Sequence, residues 1–445
     1  MEEKTEEIIP LEGGFWGFFG QVIKKSKWLF FMGVFVSLMW MVTAIFTNTL
    51  QLSELTYFNV LVSIMLFCDI FSFATAQAFI IILSQKKDKY KQALNFCSFI
   101  NIGVMLVVAV FLFAAKDFIL MNLFKLDSPG DSLFYYLMIG FIIFRCITRY
   151  YETTMRGAGL TKQIMISTLI TFLAMMSGWA ILILTDGFAL TYIPIIFYVS
   201  QALSFAYTAF AIKREKGVNI FNIFSLEKPT KEDFKMVFEK LAFEVFWQIG
   251  YTVCTMFMLK LNVKIYDSYM YFENALDIFN VVYFAFMYIT SVQVAIAIGE
   301  ERTEDAFKIS KYSVYISMIT WVGYFVLAGI VCYPILLGVN PELFEISLQT
   351  YFIYTAVYFF RFIAWCMSSY CISMSGRNLA QIIIQCFSVT YYFALYFTAQ
   401  YLPNNVFFVY GLLFLEVAAV LITETILFFR KGWLRPKQIK KEKQE

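Results

Sequence analysis

The chain has 445 residues, of which 60% are hydrophobic and 15% are charged, and its formal net charge is +3. Soluble domains average about 45–50% apolar and about 25% charged residues, so this composition excludes an ordinary soluble domain. The chain contains no histidine, which excludes zinc proteases with an HExxH helix and enzymes that use histidine for acyl transfer. No nucleic-acid partner is expected.

Twelve apolar stretches fill most of the chain, and each has about the 17–25 residues that a helix needs to cross a bilayer. The sequence therefore predicts an all-α, multi-pass membrane protein with twelve transmembrane helices. In chain order the predicted spans are Trp28–Leu50, Leu55–Ser84, Lys91–Ala115, Ser132–Thr153, Gln163–Thr185, Thr191–Ile212, Phe234–Leu261, Tyr269–Ile298, Tyr312–Leu337, Leu348–Ser373, Asn378–Gln400 and Asn405–Phe429.

Residues 1–27 precede the first span and are predicted to be a cytoplasmic segment without a secretory signal. Met1–Pro10 is acidic and polar, and the apolar run that follows the segment is far longer than the core of a signal peptide. Gly13–Ile23 is short and aromatic and is followed by three lysines. This pattern is typical of an interfacial helix that lies on the membrane surface.

The distribution of lysine and arginine predicts the orientation in the membrane. With twelve spans, both termini lie on one side, and nearly all of the 35 lysines and arginines flank the spans on that side. The opposite side carries only Lys116, Lys125, Lys260 and Lys264. The positive-inside rule therefore places both termini, with the basic tail 430–445, in the cytoplasm. The expected location is the plasma membrane.

The cysteines predict no chemistry of their own. All of them fall inside predicted spans and none forms a CxxC pair, so we interpret them as packing residues and expect no metal site and no cofactor. The eight positions are Cys68, Cys97, Cys146, Cys254, Cys332, Cys366, Cys371 and Cys386.

The longest polar interruption, Lys213–Lys235, divides the chain into two halves of six spans. We predict a six-helix bundle at 28–212, a cytoplasmic linker at 213–233 and a second bundle at 234–429. The linker ends in Thr230–Asp233, which has the form of a helix N-cap before the seventh span. An even number of spans in each half gives the two bundles parallel topology, related by a pseudo-two-fold axis along the membrane normal.

Weak internal similarity supports a duplication. Gln77 and Gln293 are 216 positions apart, and so are Arg145 and Arg361, each of which follows a phenylalanine. We therefore expect both arginines at similar depth in corresponding helices of the two bundles.

Three segments resemble the multidrug and toxic compound extrusion (MATE) family. Thr154–Lys162 (TMRGAGLTK) resembles the RGAGDTK loop after the family's fourth helix, and this is the most specific motif. Phe243–Phe246 (FEVF) is similar to the FEV segment of the NorM type, and Ser291–Ala306 resembles the passage from the eighth helix into its loop. Length, span count and linker fit along essentially the full chain. The resemblance implies a secondary transporter that exports an amphipathic organic compound by antiport with H⁺ or Na⁺.

The chain also departs from the family pattern. Thr43 stands where many members carry an aspartate in helix 1, and helix 1 lacks the proline found in some members. The acid often found in helix 10 falls close to Arg361. Flippases of lipid-linked oligosaccharides share the family's overall fold, so a flippase of a lipid-linked anionic oligosaccharide or another lipid-like substrate is the alternative function.

Five charged residues fall deep inside predicted spans. A charge near the bilayer centre costs at least about 2.5–3.5 kcal/mol, so such residues face a cavity or a partner. In one interpretation the arginines form ion pairs with the acids and hold helices together. In the other, the residues belong to an ion-coupling and substrate cavity, in which Glu244 or Asp69 binds H⁺ or Na⁺. The resemblance favours Glu244. The five are Asp69, Arg145, Glu244, Asp277 and Arg361.

Aromatic residues in the second half are candidates for the wall of the cavity, although each of them taken alone is more often a packing residue. The candidates are Trp247, Tyr251, Tyr283 and Tyr358. The expected partners are the lipid bilayer and a small amphipathic or lipid-like substrate, and the expected state is a monomer.

Two further considerations separate the alternatives. Deep arginines at 145 and 361 suit a phosphate-bearing substrate better than an organic cation, which favours the flippase. A membrane enzyme or scaffold without transport is a third class. The lack of histidine, the lack of a nucleophile motif and the short loops argue against it, so we expect no enzyme activity.

Overall fold

The structure is a computed structural model and describes residues 8–11, 13–47, 52–85, 90–123, 131–184, 190–221, 230–339, 341–376 and 378–434. Within these ranges some side chains lie outside the description, namely those at 41, 44–45, 47, 52–53, 55–56, 85, 122–123, 263–264, 267–268, 270–279 and 327–352. In the described part, every regular element is helical.

The described residues form twelve long α-helices, and each predicted span lies mainly on one of them. The tenth span also includes a π-helix, Cys366–Cys371, and a 3-10 turn, Ile372–Ser375, which follow α10 directly. The helices are α1 (Gly14–Thr47), α2 (Leu52–Gln85), α3 (Tyr90–Ala114), α4 (Ser132–Gly157), α5 (Thr161–Leu184), α6 (Tyr192–Lys216), α7 (Lys231–Leu261), α8 (Val263–Gly299), α9 (Thr303–Val339), α10 (Pro341–Trp365), α11 (Leu379–Thr398) and α12 (Val406–Phe429).

Ten of the described helices are long and apolar enough to cross a membrane. The prediction of a multi-pass helical membrane protein is therefore confirmed. The ten do not include α1 and α9, which are helical through most of the first and ninth predicted spans. The count of twelve spans stays a prediction.

The chain forms two compact units. Unit 1 is built on Trp28–Val237, and unit 2 on the chain from Phe238 onward, together with Glu7–Lys27. Within unit 1, α2 packs on α3 and α4, α3 on α4, and α6 on α4 and α5. The corresponding pairs recur within unit 2, where α8 packs on α9 and α10, α9 on α10, and α12 on α10 and α11. The recurrence supports the predicted duplication, while the two-fold relation between the units stays a prediction.

The aromatic segment Gly13–Ile23 differs from its prediction. It is not a separate interfacial helix, because α1 runs from Gly14 to Thr47 without a break. No glycine or proline interrupts the lysine-rich stretch after it, so nothing in the sequence ends the helix there. Phe18 in this segment is fully buried, and just before it the backbone N–H of Ile9 donates to Oε1 of Gln293 on α8 at 2.7 Å.

The start of α7 confirms the predicted N-cap. The backbone N–H of Asp233 donates to Oγ1 of Thr230 at 3.2 Å, and the N–H of Thr230 donates to Oδ2 of Asp233 at 3.1 Å. These reciprocal bonds satisfy two backbone donors that a helix start otherwise leaves without partners. They fix where the second half of the chain begins.

A glycine follows α4 in unit 1, and a glycine follows the continuous run of α10, the π-helix and the 3-10 turn in unit 2. Gly159 after α4 has φ +74° and Gly376 after the 3-10 turn has φ +75°, a left-handed conformation that glycine adopts without steric penalty. The N–H of Leu160 donates to the carbonyl of Met155 at 2.9 Å, a bond typical of a glycine C-cap. In this chain the last glycine of the RGAG sequence therefore ends α4.

Candidate functional site

In unit 1, Asp69 on α2 forms an ion pair with Arg145 on α4. Nη2 of Arg145 lies 3.2 Å from Oδ2 of Asp69, and Nε of Arg149 lies 3.9 Å from the same oxygen. The thiol of Cys146 lies 3.6 Å from Oδ1. Arginines four residues apart share one face of α4, which brings both to the one acid. For Asp69, the contacts favour the ion-pair interpretation.

Three arginines and two acids contribute to this cluster, because Glu152 on α4 also interacts electrostatically with Arg149, Arg145 and Arg156. Both Asp69 and Arg145 are largely shielded from solvent, with side-chain exposures of 13% and 16%. The guanidinium carbon of Arg145 also lies 5.9 Å from the ring of Trp40. Because shielding weakens electrostatic screening, the cluster keeps a positive potential that attracts an anionic group.

In unit 2, Glu244 pairs with a lysine that the sequence analysis missed. Nζ of Lys240, one turn earlier on α7, lies 2.9 Å from Oε1 of Glu244. This distance makes the two side chains an ion pair. The contact does not have the angles of a hydrogen bond, so Oε1 of Glu244 accepts none from Lys240. Lys240 is fully buried and also donates to Oγ of Ser373 at 3.2 Å. The i, i+4 spacing of Lys240 and Glu244 on one helix face could have predicted this pair. Lys240 follows the basic linker closely, so the sequence analysis grouped it with the lysines of the linker and not with the charges inside the span.

The two remaining charged candidates, Asp277 and Arg361, lie on α8 and α10 of unit 2. Asp277 lies on α8, and its side chain falls outside the described residues. The guanidinium carbon of Arg361 on α10 lies 5.8 Å from the ring centroid of Tyr358. Its charge also acts on the hydroxyl of Tyr392 on α11. That hydroxyl donates to Oε2 of Glu416 at 3.0 Å, which links Arg361 to an acid on α12 through one tyrosine.

The four aromatic candidates belong to one network of touching rings in unit 2. Trp247 stacks on Tyr251 at 6.1 Å and on Trp365 at 5.5 Å between ring centroids. Trp365 is 6.1 Å from Tyr283, and rings of α9 and α10 continue the network to Tyr358. Tyr283 and Tyr358 are buried, whereas Trp247 and Tyr251 are partly exposed. Only the latter two keep a surface that a ligand can touch.

Sequence analysis also missed two buried acids on α12. Oε1 of Glu416 accepts from Ser388 at 2.5 Å, and Glu424 is fully buried. Both fall inside the predicted span Asn405–Phe429, so their position in an apolar run was a sufficient signal, as it was for Asp69.

Solved structures with the same fold are transporters of the MATE family and the wider MOP superfamily. An outward-facing multidrug resistance MATE family transporter of the MOP superfamily matches with a TM-score of 0.77 and 12% identity, over 93% of this chain and 96% of that one. A Vibrio cholerae MATE transporter mutant matches with a TM-score of 0.77 and 12% identity, over 93% of this chain and 98% of that one.

A third similar structure is a MOP superfamily transporter from Pyrococcus furiosus, described as having a binding pocket of reverse polarity that suggests a different function. It matches with a TM-score of 0.78 and 10% identity, over 93% of this chain and 96% of that one. No family model and no curated protein matches the sequence. The predicted resemblance to MATE transporters is thus confirmed at the level of the fold.

Proposed function

We propose that this protein is a secondary active transporter that exports an amphipathic organic compound in exchange for H⁺ or Na⁺. The observation that carries the proposal is the fold, which is shared with MATE and MOP superfamily transporters over 93% of the chain. In the proposed mechanism the substrate is transported by alternating access to the two sides of the membrane. The protein acts as a monomer in the plasma membrane, with both termini in the cytoplasm.

Glu244 is the proposed coupling residue. It is a buried acid on α7, and it is paired with Lys240 rather than with one of the arginines. When Glu244 binds H⁺ or Na⁺, the ammonium of Lys240 loses its counter-charge while it is buried. A buried charge without a partner is unfavourable by several kcal/mol, on the order of what a change of conformation requires. Cation binding at Glu244 therefore favours a conformation in which Lys240 is solvated or finds another anion.

The Asp69 cluster favours the alternative of a flippase for a lipid-linked anionic substrate. Asp69 faces Arg145 and Arg149, and Glu152 acts on both of them and on Arg156, so three arginines accompany two acids. Arginine is well suited to bind phosphate, because its planar guanidinium presents several donors. The similar archaeal transporter with reverse polarity of its binding pocket is consistent with this fold serving more than one class of substrate.

The test is transport in proteoliposomes loaded with a fluorescent amphipathic cation. An imposed H⁺ or Na⁺ gradient should drive dye movement in liposomes with wild-type protein and not in protein-free liposomes, and the active gradient identifies the ion. A parallel assay measures translocation of a fluorescent lipid with a diphosphate headgroup. Lipid translocation without gradient-driven dye movement would replace the exporter by the flippase, and neither activity would contradict both.

A further inference from the structure

Glu424 on α12 is the most isolated acid in the described part of the chain. Its side chain has 0% exposure, and neither carboxyl oxygen has a hydrogen-bond partner of normal geometry. It lies five residues before Phe429, the last residue of α12, which corresponds to about 7.5 Å along the helix. A carboxylate buried in this way without a partner is strongly unfavourable, so its environment calls for a bound cation or proton.

Two neutral side chains surround the carboxyl group. Ser368 on the π-helix and Gln381 on α11 lie near enough to act on Glu424. Nε2 of Gln381 donates to the backbone carbonyl of Ser368 at 3.0 Å, which fixes the orientation of the amide. Oε1 of Gln381 and the hydroxyl of Ser368 are buried and have no hydrogen-bond partner. The site therefore holds three acceptor oxygens, the two of Glu424 and Oε1 of Gln381, and two free donors, the hydroxyl of Ser368 and the second N–H of the Gln381 amide.

One added proton on Glu424 gives all three side chains hydrogen-bond partners. With a proton on one oxygen, Glu424 can donate to Oε1 of Gln381, and the hydroxyl of Ser368 can donate to the other carboxyl oxygen. Every buried polar atom of the three groups then has a partner, and no net charge remains in the apolar interior. Without the proton, the site holds an uncompensated negative charge and an unfilled acceptor.

The π-helix Cys366–Cys371 explains why Ser368 and Gln381 come close to Glu424. A π-helix has a wider turn than an α-helix and often marks a functional site. Here the turn Cys366–Cys371 is buried throughout, and it presents the carbonyl of Ser368 to a side chain of α11. The extra residue in the turn thus brings Ser368, Gln381 and Glu424 together from three elements.

Other described acids in the spans differ from Glu424 in that each has a cation or a good hydrogen-bond donor. Asp69 pairs with Arg145, and Glu244 pairs with Lys240. Glu152 accepts from Ser204 at 3.1 Å, and Glu416 accepts from Ser388 and Tyr392. Each of these four acids thus has a charged or hydrogen-bonding partner, whereas neither oxygen of Glu424 has a hydrogen-bond partner of normal geometry.

On α12 and the elements packed on it, the charged groups whose side chains are described are Arg361, Glu416, Arg430 and Lys431. None of these four is among the groups that act on Glu424. The side chains of Glu342 and Glu345 on α10 lie outside the described part. Lys431 pairs with Glu304 at 3.7 Å. The remaining titratable side chains described on these elements are thiols and phenols, which are ordinarily uncharged near pH 7. They belong to Tyr354, Tyr358, Cys366, Tyr370, Cys371, Cys386, Tyr391, Tyr392, Tyr396 and Tyr410.

We propose that Glu424, with Ser368 and Gln381, is a proton-binding site of unit 2, distinct from the Lys240–Glu244 pair. This assignment rests on the proposed function in one respect, since it names the proton as an ion that the transport cycle binds and releases. The carboxyl is neutral in the conformation described here and ionises in a conformation in which water reaches it.

The chain that follows α12 packs beside the C-terminal end of that helix, the end nearer to Glu424. The 3-10 turn Gly432–Leu434 packs on Ile372–Ser375 and on α12. Trp433 is buried, stacks on Phe428 at 5.8 Å and donates its indole N–H to the carbonyl of Phe428 at 3.1 Å.

The test is infrared difference spectroscopy of the full-length protein in lipid nanodiscs across a pH titration. Wild-type protein at neutral pH should show the carbonyl stretch of a protonated carboxyl group. Glu424→Gln should remove this band, and the matched control Glu416→Gln on the same helix should retain it. Retention of the band in Glu424→Gln would overturn the assignment, as would its loss when NaCl replaces KCl at constant pH, which would indicate a sodium site.

A second variant keeps the test decisive if Glu424→Gln does not fold. Ser368→Ala removes the only hydroxyl that can stabilise the ionised carboxyl, so the band should persist to higher pH than in wild type. An unchanged titration of the band would contradict a site that includes Ser368.

Transport measurements separate this inference from the proposed function. In proteoliposomes, Glu424→Gln should reduce dye export driven by a pH gradient at least about tenfold, while Glu416→Gln retains most of it. If wild-type protein moves no dye under any gradient, the proposed function fails and the infrared result still decides whether Glu424 binds a proton. If Glu424→Gln exports at the wild-type rate, the proton site has no part in transport and the proposal is overturned.

Discussion

Nζ of Lys240 and Oε1 of Glu244 lie 2.9 Å apart, one turn from each other on α7, and both side chains are buried. The pair links a lysine with no solvent exposure to the acid that the sequence singles out for ion coupling. Removing one partner of a buried ion pair is typically unfavourable by about 3–5 kcal/mol, because the other charge stays buried. The stability of α7 and any coupling function therefore depend on the same contact.

The first prediction concerns stability. Glu244→Gln and Lys240→Met should each lower the thermal midpoint in detergent, because each leaves a buried charge or an unpaired acid. The double variant should recover most of the loss, since neither charge remains. Additive losses in the double variant would show that the two side chains do not interact.

The second prediction concerns transport. The double variant Lys240→Met/Glu244→Gln should insert at the wild-type level and still lose ion-driven dye export by at least about tenfold, because the cation-binding carboxylate is gone. Export is measured in proteoliposomes and normalised to the amount of folded protein. Full export would refute the coupling role of Glu244.

The third prediction concerns Asp69 as a structural counter-charge. Asp69→Asn removes the carboxylate that lies 3.2 Å from the largely shielded Arg145 and should lower the thermal midpoint of unfolding. Arg149→Gln is the matched control, because its side chain is 40% exposed and 3.9 Å from the acid, and exposed pairs contribute at most about 1 kcal/mol. Equal losses of export, rather than of stability, in Asp69→Asn and Glu244→Gln would instead indicate that the two acids act together.

The fourth prediction concerns the aromatic network. Trp247→Ala should weaken binding of an aromatic amphipathic dye about fivefold to tenfold, because its ring is partly exposed beside Tyr251 and stacks on Trp365. Tyr283→Phe is the control, since it removes only the 3.1 Å bond from its hydroxyl to the carbonyl of Phe362. Dye affinity is measured by fluorescence anisotropy. An unchanged affinity in Trp247→Ala would make this ring a packing residue only.

The fifth prediction concerns orientation. An impermeant thiol reagent should label Asn404→Cys in intact cells and should label Glu304→Cys only in inverted vesicles. Positions 304 and 404 are both exposed. The native cysteines whose side chains are described are buried except for Cys386, which is half-buried, so their background labelling should be low. The reverse labelling pattern would invert the predicted topology.

The sequence alone determined where the helices lie along the chain, although α1 begins at Gly14 rather than at the predicted Trp28. Apolar runs of membrane-spanning length predict helices because backbone groups in hydrocarbon must be hydrogen-bonded within the segment. A local signal was also sufficient for the N-cap of α7, where Thr230 and Asp233 form the predicted reciprocal bonds. These features depend on residues close together in the chain, so no tertiary information was needed to predict them.

Only the tertiary structure decided the partners of the buried charges. The sequence placed Asp69, Arg145 and Glu244 inside the membrane, but it did not pair Asp69 with Arg145 or Glu244 with Lys240. It likewise gave no indication that Ser368 and Gln381 meet Glu424. The physical reason is that the protonation and pairing of a buried charge depend on which faces of distant helices pack together. The spacing of residues along one helix does not contain that information.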